Sequence, residues 1–138
     1  MDSRVVLYDY AMRLVGLPYR WGGDDTVDGF DCSGLVQELL KAAGVLTGKA
    51  DHTAAALATL FPETLEPGFG SLVFFGAGAI SHVGFCLNPV LMLEAGGGGS
   101  KTLTEADAAR QNAYVRVRPI RARTDIVGYR HPQYPWKG

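Results

Sequence analysis

Gly29-Phe30-Asp31-Cys32-Ser33-Gly34-Leu35-Val36 is the point at which a polar loop gives way to an apolar helix. Upstream, Tyr19 to Phe30 is rich in glycine, aspartate and aromatics and has no period, which reads as a loop. Downstream, Leu35, Val36, Leu39 and Leu40 recur at helical spacing. A helix is therefore expected from Asp31 or Cys32 to Ala43, ended by Gly44. Cys32 falls in its first turn.

Toward the N-terminus, Val5, Val6, Tyr8, Ala11, Met12 and Val15 predict a helix from Arg4 to Leu17, with Ser3 as its cap and Gly16 and Pro18 at its end. Toward the C-terminus, Asp51 or Thr53 is expected to cap a short helix, Ala54 to Phe61, which Pro62 stops. After Pro67 and Gly68 the character changes to strand: Ser71–Phe75, Ser81–Leu87, Val90–Ala95, Tyr114–Pro119 and Asp125–Tyr129. Helices first and strands second is the order of an α+β domain, with N-terminal helices packed on a C-terminal antiparallel sheet. Residues 1–138 read as one domain, and 131–138 as an extended surface tail.

The chain has 138 residues, 47% hydrophobic and 20% charged, which is globular composition rather than that of a disordered chain. The formal net charge of −1 supplies no field to attract a polyanion, so nucleic acid is not an expected partner. Apolar runs fall short of the roughly 20 residues a membrane span requires. The N-terminus carries Asp2 and Asp9 and has no basic-then-apolar secretion pattern, so if the protein acts outside the cytoplasm, delivery by some other route is expected.

The first turn of a helix suits a nucleophilic cysteine, because its unpaired N–H groups and partial positive charge favour a thiolate and can bind an oxyanion. Of three histidines, only His82 heads a strand, where it can serve as general base. The turn at Asn88-Pro89 folds the following strand back and brings Glu94 beside His82, directly opposite if the loop has an odd residue count. Glu94 would then orient the imidazole ring. Cys86 lies four residues from His82 on one strand, roughly 13 Å away at ~3.3 Å per residue. If Cys32 meets His82, no disulfide to Cys86 is expected, and Cys86 is a free core thiol. No spacing suggests a metal site, and no cofactor is expected.

Pro18-Tyr19-Arg20-Trp21-Gly22-Gly23, Gly29 to Val36, Leu72-Val73-Phe74-Phe75 and His82-Val83-Gly84 together resemble the NlpC/P60 cysteine peptidases. The resemblance implies a papain-like α+β fold and hydrolysis of amide bonds in bacterial peptidoglycan stem peptides, typically between D-γ-glutamate and a diamino acid. It implies that Cys32 is the nucleophile and His82 the base. It places Tyr19 near the nucleophile, as support for the oxyanion or substrate, and Asp31 and Ser33 among residues that recognise the stem peptide. The family's third polar residue is usually His, Asn or Gln, where this chain has Glu94. Ser71 stands where many members have aspartate.

Asp31 reads equally well as the helix N-cap. Tyr19 and Trp21 have a packing alternative, His52 and His131 read as surface residues, and Gly96 to Gly99 as a mobile rim. Arg116, Arg118, Arg121 and Arg123 read as a solvated strand face, with contact to an anionic polymer as the alternative. The compact chain also resembles phage tail-associated members, which implies other tail proteins as partners and location on a virion, at the cell wall or in the periplasm, and otherwise in the cytoplasm as made. A fragment of a longer secreted protein is the alternative. Two rival functions stay open: a related thiol amidase or acyltransferase, and a non-catalytic structural or binding component.

Overall fold

Asp2, rather than Ser3, caps the first helix, its side chain accepting the Arg4 N–H at 2.9 Å. The computed structural model describes residues 2–49 and 51–136. Helix α1 runs Ser3–Arg13, shorter than its periodicity suggests. Gly16 N–H donates to Val115 O and Leu17 O accepts from Val115 N–H, both at 2.8 Å, so the expected last turn is pulled into the sheet.

Two short strands, β1 (Asp24–Asp25) and β2 (Gly29–Phe30), pair as a hairpin within the expected loop. Helix α2 (Cys32–Ala42) follows, and then α3 (Ala54–Leu57), capped by Thr53 and shorter than predicted. The strands are β3 (Glu63–Thr64), β4 (Leu72–Phe75), β5 (His82–Cys86), β6 (Leu91–Gly96), β7 (Tyr114–Pro119) and β8 (Ile126–Arg130). Helix α4 (Glu105–Gln111) lies between β6 and β7. The six strands form one sheet in the order β3-β8-β4-β5-β6-β7, and every pairing in it is antiparallel.

Alternation along the strands gives the sheet two different faces. Leu72, Phe74, Val83, Phe85, Leu93, Ala95 and Val115 join Leu7, Ala11, Leu35, Val36, Leu39, Leu40 and Leu57 in the main core. On the other face Val73, Phe75, Cys86, Met92 and Ile120 form a smaller core. His82, Glu94, Arg116 and Arg118 alternate onto this second face. Cys86 is a free, fully buried thiol, and burial pushes its pKa up to about 12.

The tail differs from the extended surface segment expected. Tyr134 is buried, donates its hydroxyl to Gly70 O at 2.6 Å and stacks on Trp136. His131, expected on the surface, is half-buried with Nδ1 2.8 Å from Ser71 Oγ, which also accepts the Gly68 N–H at 3.0 Å. Ser71 thus ties the tail to the sheet. Lys137 and Gly138 lie outside the described residues.

Candidate active site

Cys32 is half-buried in the first turn of α2, at the end of the sheet where β5 begins. Asp31 builds that corner. Its Oδ1 accepts the Gly34 N–H at 2.7 Å and the Ser33 hydroxyl at 3.3 Å, and its Oδ2 accepts the Gly22 N–H at 3.2 Å. One carboxylate therefore caps the helix and anchors the preceding loop. Gly34 is required here, because a Cβ at that position would lie 2.0 Å from Gly23 O.

His82 is 8% exposed and Glu94 1%. His82 Nε2 lies 2.7 Å from Glu94 Oε1, which leaves Nδ1 as the nitrogen available to Cys32. The pairing differs from the direct opposition expected. Phe85 faces Leu93 and Cys86 faces Met92, so the turn is centred on Pro89 and Gly84 stands opposite Glu94. Glu94 meets His82 diagonally on the same face, within reach of a long side chain. Asn88 sets this turn by accepting the Val90 and Leu91 N–H groups, both at 2.8 Å.

Two arginines complete the surroundings of Glu94. Arg116, directly across the β6–β7 pair, brings Nε to 3.6 Å of Oε2, and Arg118 donates from Nη1 to Oε2 at 3.1 Å. The solvated-face reading fails for these two residues. Their alternation with Val115 and Val117 was visible in the sequence, but the strand they pair with was not. Gly96 leaves room for the carboxylate, since a Cβ there would lie 2.8 Å from Glu94 Oε2. Arg123 also departs from that reading: it holds Asp125 through two hydrogen bonds and lies over the Phe75 ring.

These contacts decide the charges. Burial alone would raise the Glu94 carboxyl, yet hydrogen bonds and charge from His82 and Arg118 hold it below the usual range. Burial likewise opposes a charged His82, but the hydrogen bonds to Cys32 and Glu94 outweigh it and raise the imidazole to about 9. Tyr19 is held neutral, first by burial and then by negative charge at Cys32, so its hydroxyl is a donor at neutral pH.

Tyr19, Trp21, Cys32, His82 and Glu94 line one cavity of about 300 Å³, together with Ser81, Arg118, Arg123 and the glycine run. Asp31 and Ser33 are not on its wall. Within the glycine run Gly97 and Gly98 are close-packed rather than a free rim, since a Cβ on Gly98 would lie 2.3 Å from the Tyr19 ring and one on Gly97 would lie 2.8 Å from Asn112 O, while Gly99 faces open space. Trp21, half exposed at 52%, is the open aromatic edge of the cavity. Among the described residues no group of three or more His, Cys, Asp and Glu side chains is arranged to hold a metal ion.

The model of the NlpC/P60 family matches residues 16–119, from the turn before Tyr19 to the end of β7. The chain belongs to the NlpC/P60 family. It is 40% identical over 91 residues to the bifunctional muramidase/DL-endopeptidase CwlT of Bacillus subtilis, covering 61% of this chain and 26% of that protein. It is 35% identical over 109 residues to the peptidoglycan endopeptidase RipB of Mycobacterium tuberculosis, covering 67% and 45%. This NlpC/P60 chain thus spans less than half the length of either relative. The solved structure of RipB superposes with a TM-score of 0.66 at 26% identity, covering 95% of this chain and 67% of that one. RipD of M. tuberculosis, described as a non-catalytic NlpC/p60 domain protein adapted to peptidoglycan binding, shares the fold with a TM-score of 0.69 at 22% identity, covering 94% and 95%.

Proposed function

We propose that this chain is a cysteine endopeptidase that hydrolyses an amide bond in peptidoglycan stem peptides, between D-γ-glutamate and the diamino acid that follows. The observation that carries the reading is the His82–Glu94 pair, with Nε2 fixed at 2.7 Å from the carboxylate, on the wall of the one cavity that Cys32 also lines. Membership of the NlpC/P60 family supports it, as do the endopeptidase activities of CwlT and RipB.

Cys32 Sγ attacks the scissile carbonyl and forms a tetrahedral intermediate. The N–H groups at the start of α2 and the Tyr19 hydroxyl are aimed at the oxyanion. His82 gives its proton to the departing amine, and the C–N bond breaks to leave a thioester on Cys32. His82 then takes a proton from water, whose oxygen attacks the thioester. The C–S bond breaks, the acid product leaves, and the Cys32 thiolate is restored beside the protonated His82. Glu94 keeps the imidazole in place throughout and offsets its positive charge.

The test is digestion of purified peptidoglycan by wild type and Cys32→Ala, with product masses read by mass spectrometry. Stem-peptide fragments ending in γ-glutamate, from wild type alone, are expected. Products of a different bond would replace the peptidase with the amidase or acyltransferase. No products from either protein, with Cys32 inert to a thiol probe, would make it a binding module.

A further inference from the structure

Glu94 divides its two oxygens between different neighbours. Oε1 lies 2.7 Å from His82 Nε2, while Oε2 accepts from Arg118 Nη1 at 3.1 Å and has Arg116 Nε at 3.6 Å. Arg116 does not line the cavity that holds Cys32, and its Nη1 donates to Asn112 O at 3.4 Å, which fixes the guanidinium at the end of α4. Its Nε is buried with no hydrogen-bond partner among the described residues. The carboxylate itself is 1% exposed, so its charge is strongly felt by the groups it touches. Two guanidinium groups thus draw on the same charge that His82 uses.

The other surroundings of His82 do not supply this counterweight. Cys32 shares the cavity with it from the start of α2, and the Phe75 ring packs against it from β4 with centroids 5.5 Å apart. Arg123 and Asp125, ahead of β8, are paired with each other and add no net charge. A full carboxylate charge in contact with a buried imidazolium stabilises it and makes it a weaker acid. The proposed reaction requires the imidazolium to act as an acid, because its proton must pass to the departing amine.

We propose that Arg118 and Arg116 are positioning residues that act through Glu94: they offset part of its charge, so that His82 holds a proton in the resting site and still releases it to the leaving group. The inference rests on the peptidase reading for the destination of the proton, and on the shared carboxylate for the means. Neither arginine has to touch substrate. Loss of one leaves Glu94 in place, because the other arginine, His82 and the close approach of Gly96 still confine it. What changes is the balance of charge.

NMR titration of the His82 ring, assigned by its absence in His82→Gln, reads that balance without substrate. Arg118→Gln should raise the His82 midpoint by about half to one pH unit. Arg116→Gln, which removes the more distant guanidinium, should raise it less, and Arg118→Lys, which keeps the charge, should stay near wild type. With stem peptides, Arg118→Gln should lower kcat about tenfold and change KM less than about twofold, and the alkaline limb of its kcat profile should move up with the midpoint. Support of the fold alone would not raise the midpoint. An unmoved midpoint in both Gln variants overturns the proposal. So does a fall, which would mean that the arginines hold the carboxylate in place rather than offset it, or an effect confined to KM, which would make Arg118 a substrate contact. If Arg118→Gln does not fold, Arg116→Gln and Arg118→Lys carry the test.

The titration also separates this failure from failure of the peptidase reading. A midpoint that rises as expected, with no cleavage of stem peptides by wild type, keeps the charge balance and removes the peptidase. Cleavage by wild type with an unmoved midpoint keeps the peptidase and removes the role of the arginines.

Discussion

Glu94 is the carboxylate on which three cationic side chains converge, His82, Arg116 and Arg118. Its carboxylate is nearly inaccessible and touches His82, Arg116 and Arg118. Removing one partner of a buried pair costs more than the pair contributes, because the other charge is left uncompensated. Both arginines reach solvent over about a third of their side chains, which moderates the cost. Glu94→Gln is expected to lose about 2–3 kcal/mol in urea denaturation. Adding Arg118→Gln should recover part of that loss, with a coupling of about 1–2 kcal/mol. If the two changes simply add, the arginine is not acting on the carboxylate. Proximity of Glu94 to His82 was legible from a short turn and strand alternation. The register was not, because Asn88 decides the turn centre by taking two backbone N–H groups.

At the scale of an element, the start of α2 depends on Asp31 and on glycines that let backbones approach. Asp31→Ala removes three hydrogen bonds, including the cap, and should cost about 1–2 kcal/mol by thermal melting. Asp31→Asn, a good cap, should keep most of that. A different outcome is expected for Gly98→Ala, whose new methyl group would collide with the Tyr19 ring. Displacing Tyr19 from the Cys32 cavity should lower kcat/KM about tenfold or more, and because Tyr19 is part of the core it should also cost about 1–3 kcal/mol by thermal melting. Long periodic elements such as α2 and the strands β4 to β7 were readable from the sequence, since burial of one face imposes the period. The two-residue strands were not: β3 exists only through its pairing with the distant β8, and β1 and β2 form a local hairpin too short to show a period. Helix α4 was missed although Thr104 and Asp107 form a capping box; Ala108 is its one buried residue, so it shows no apolar period.

For the molecule as a whole, stability and the proposed chemistry depend on the same proton. His82 has a folded pKa raised to about 9 from an ordinary 6.5. Such a group stabilises the fold fully below pH 6.5, and the contribution is lost as pH rises through 9. Cys86, Tyr19 and Tyr134, each held neutral by burial, add losses of the same sign only above their ordinary ranges, which begin near pH 9. The melting temperature should therefore fall between pH 6.5 and 9 because of His82 alone among these groups, and fall further above 9. His82→Gln removes the titrating imidazole and should flatten the first part of the curve while leaving the second. An unchanged slope between pH 6.5 and 9 in His82→Gln would mean that His82 is not held charged by Cys32 and Glu94. The base proposed for catalysis would then be neutral in the resting protein, and Cys32 would have to surrender its proton during attack rather than before it.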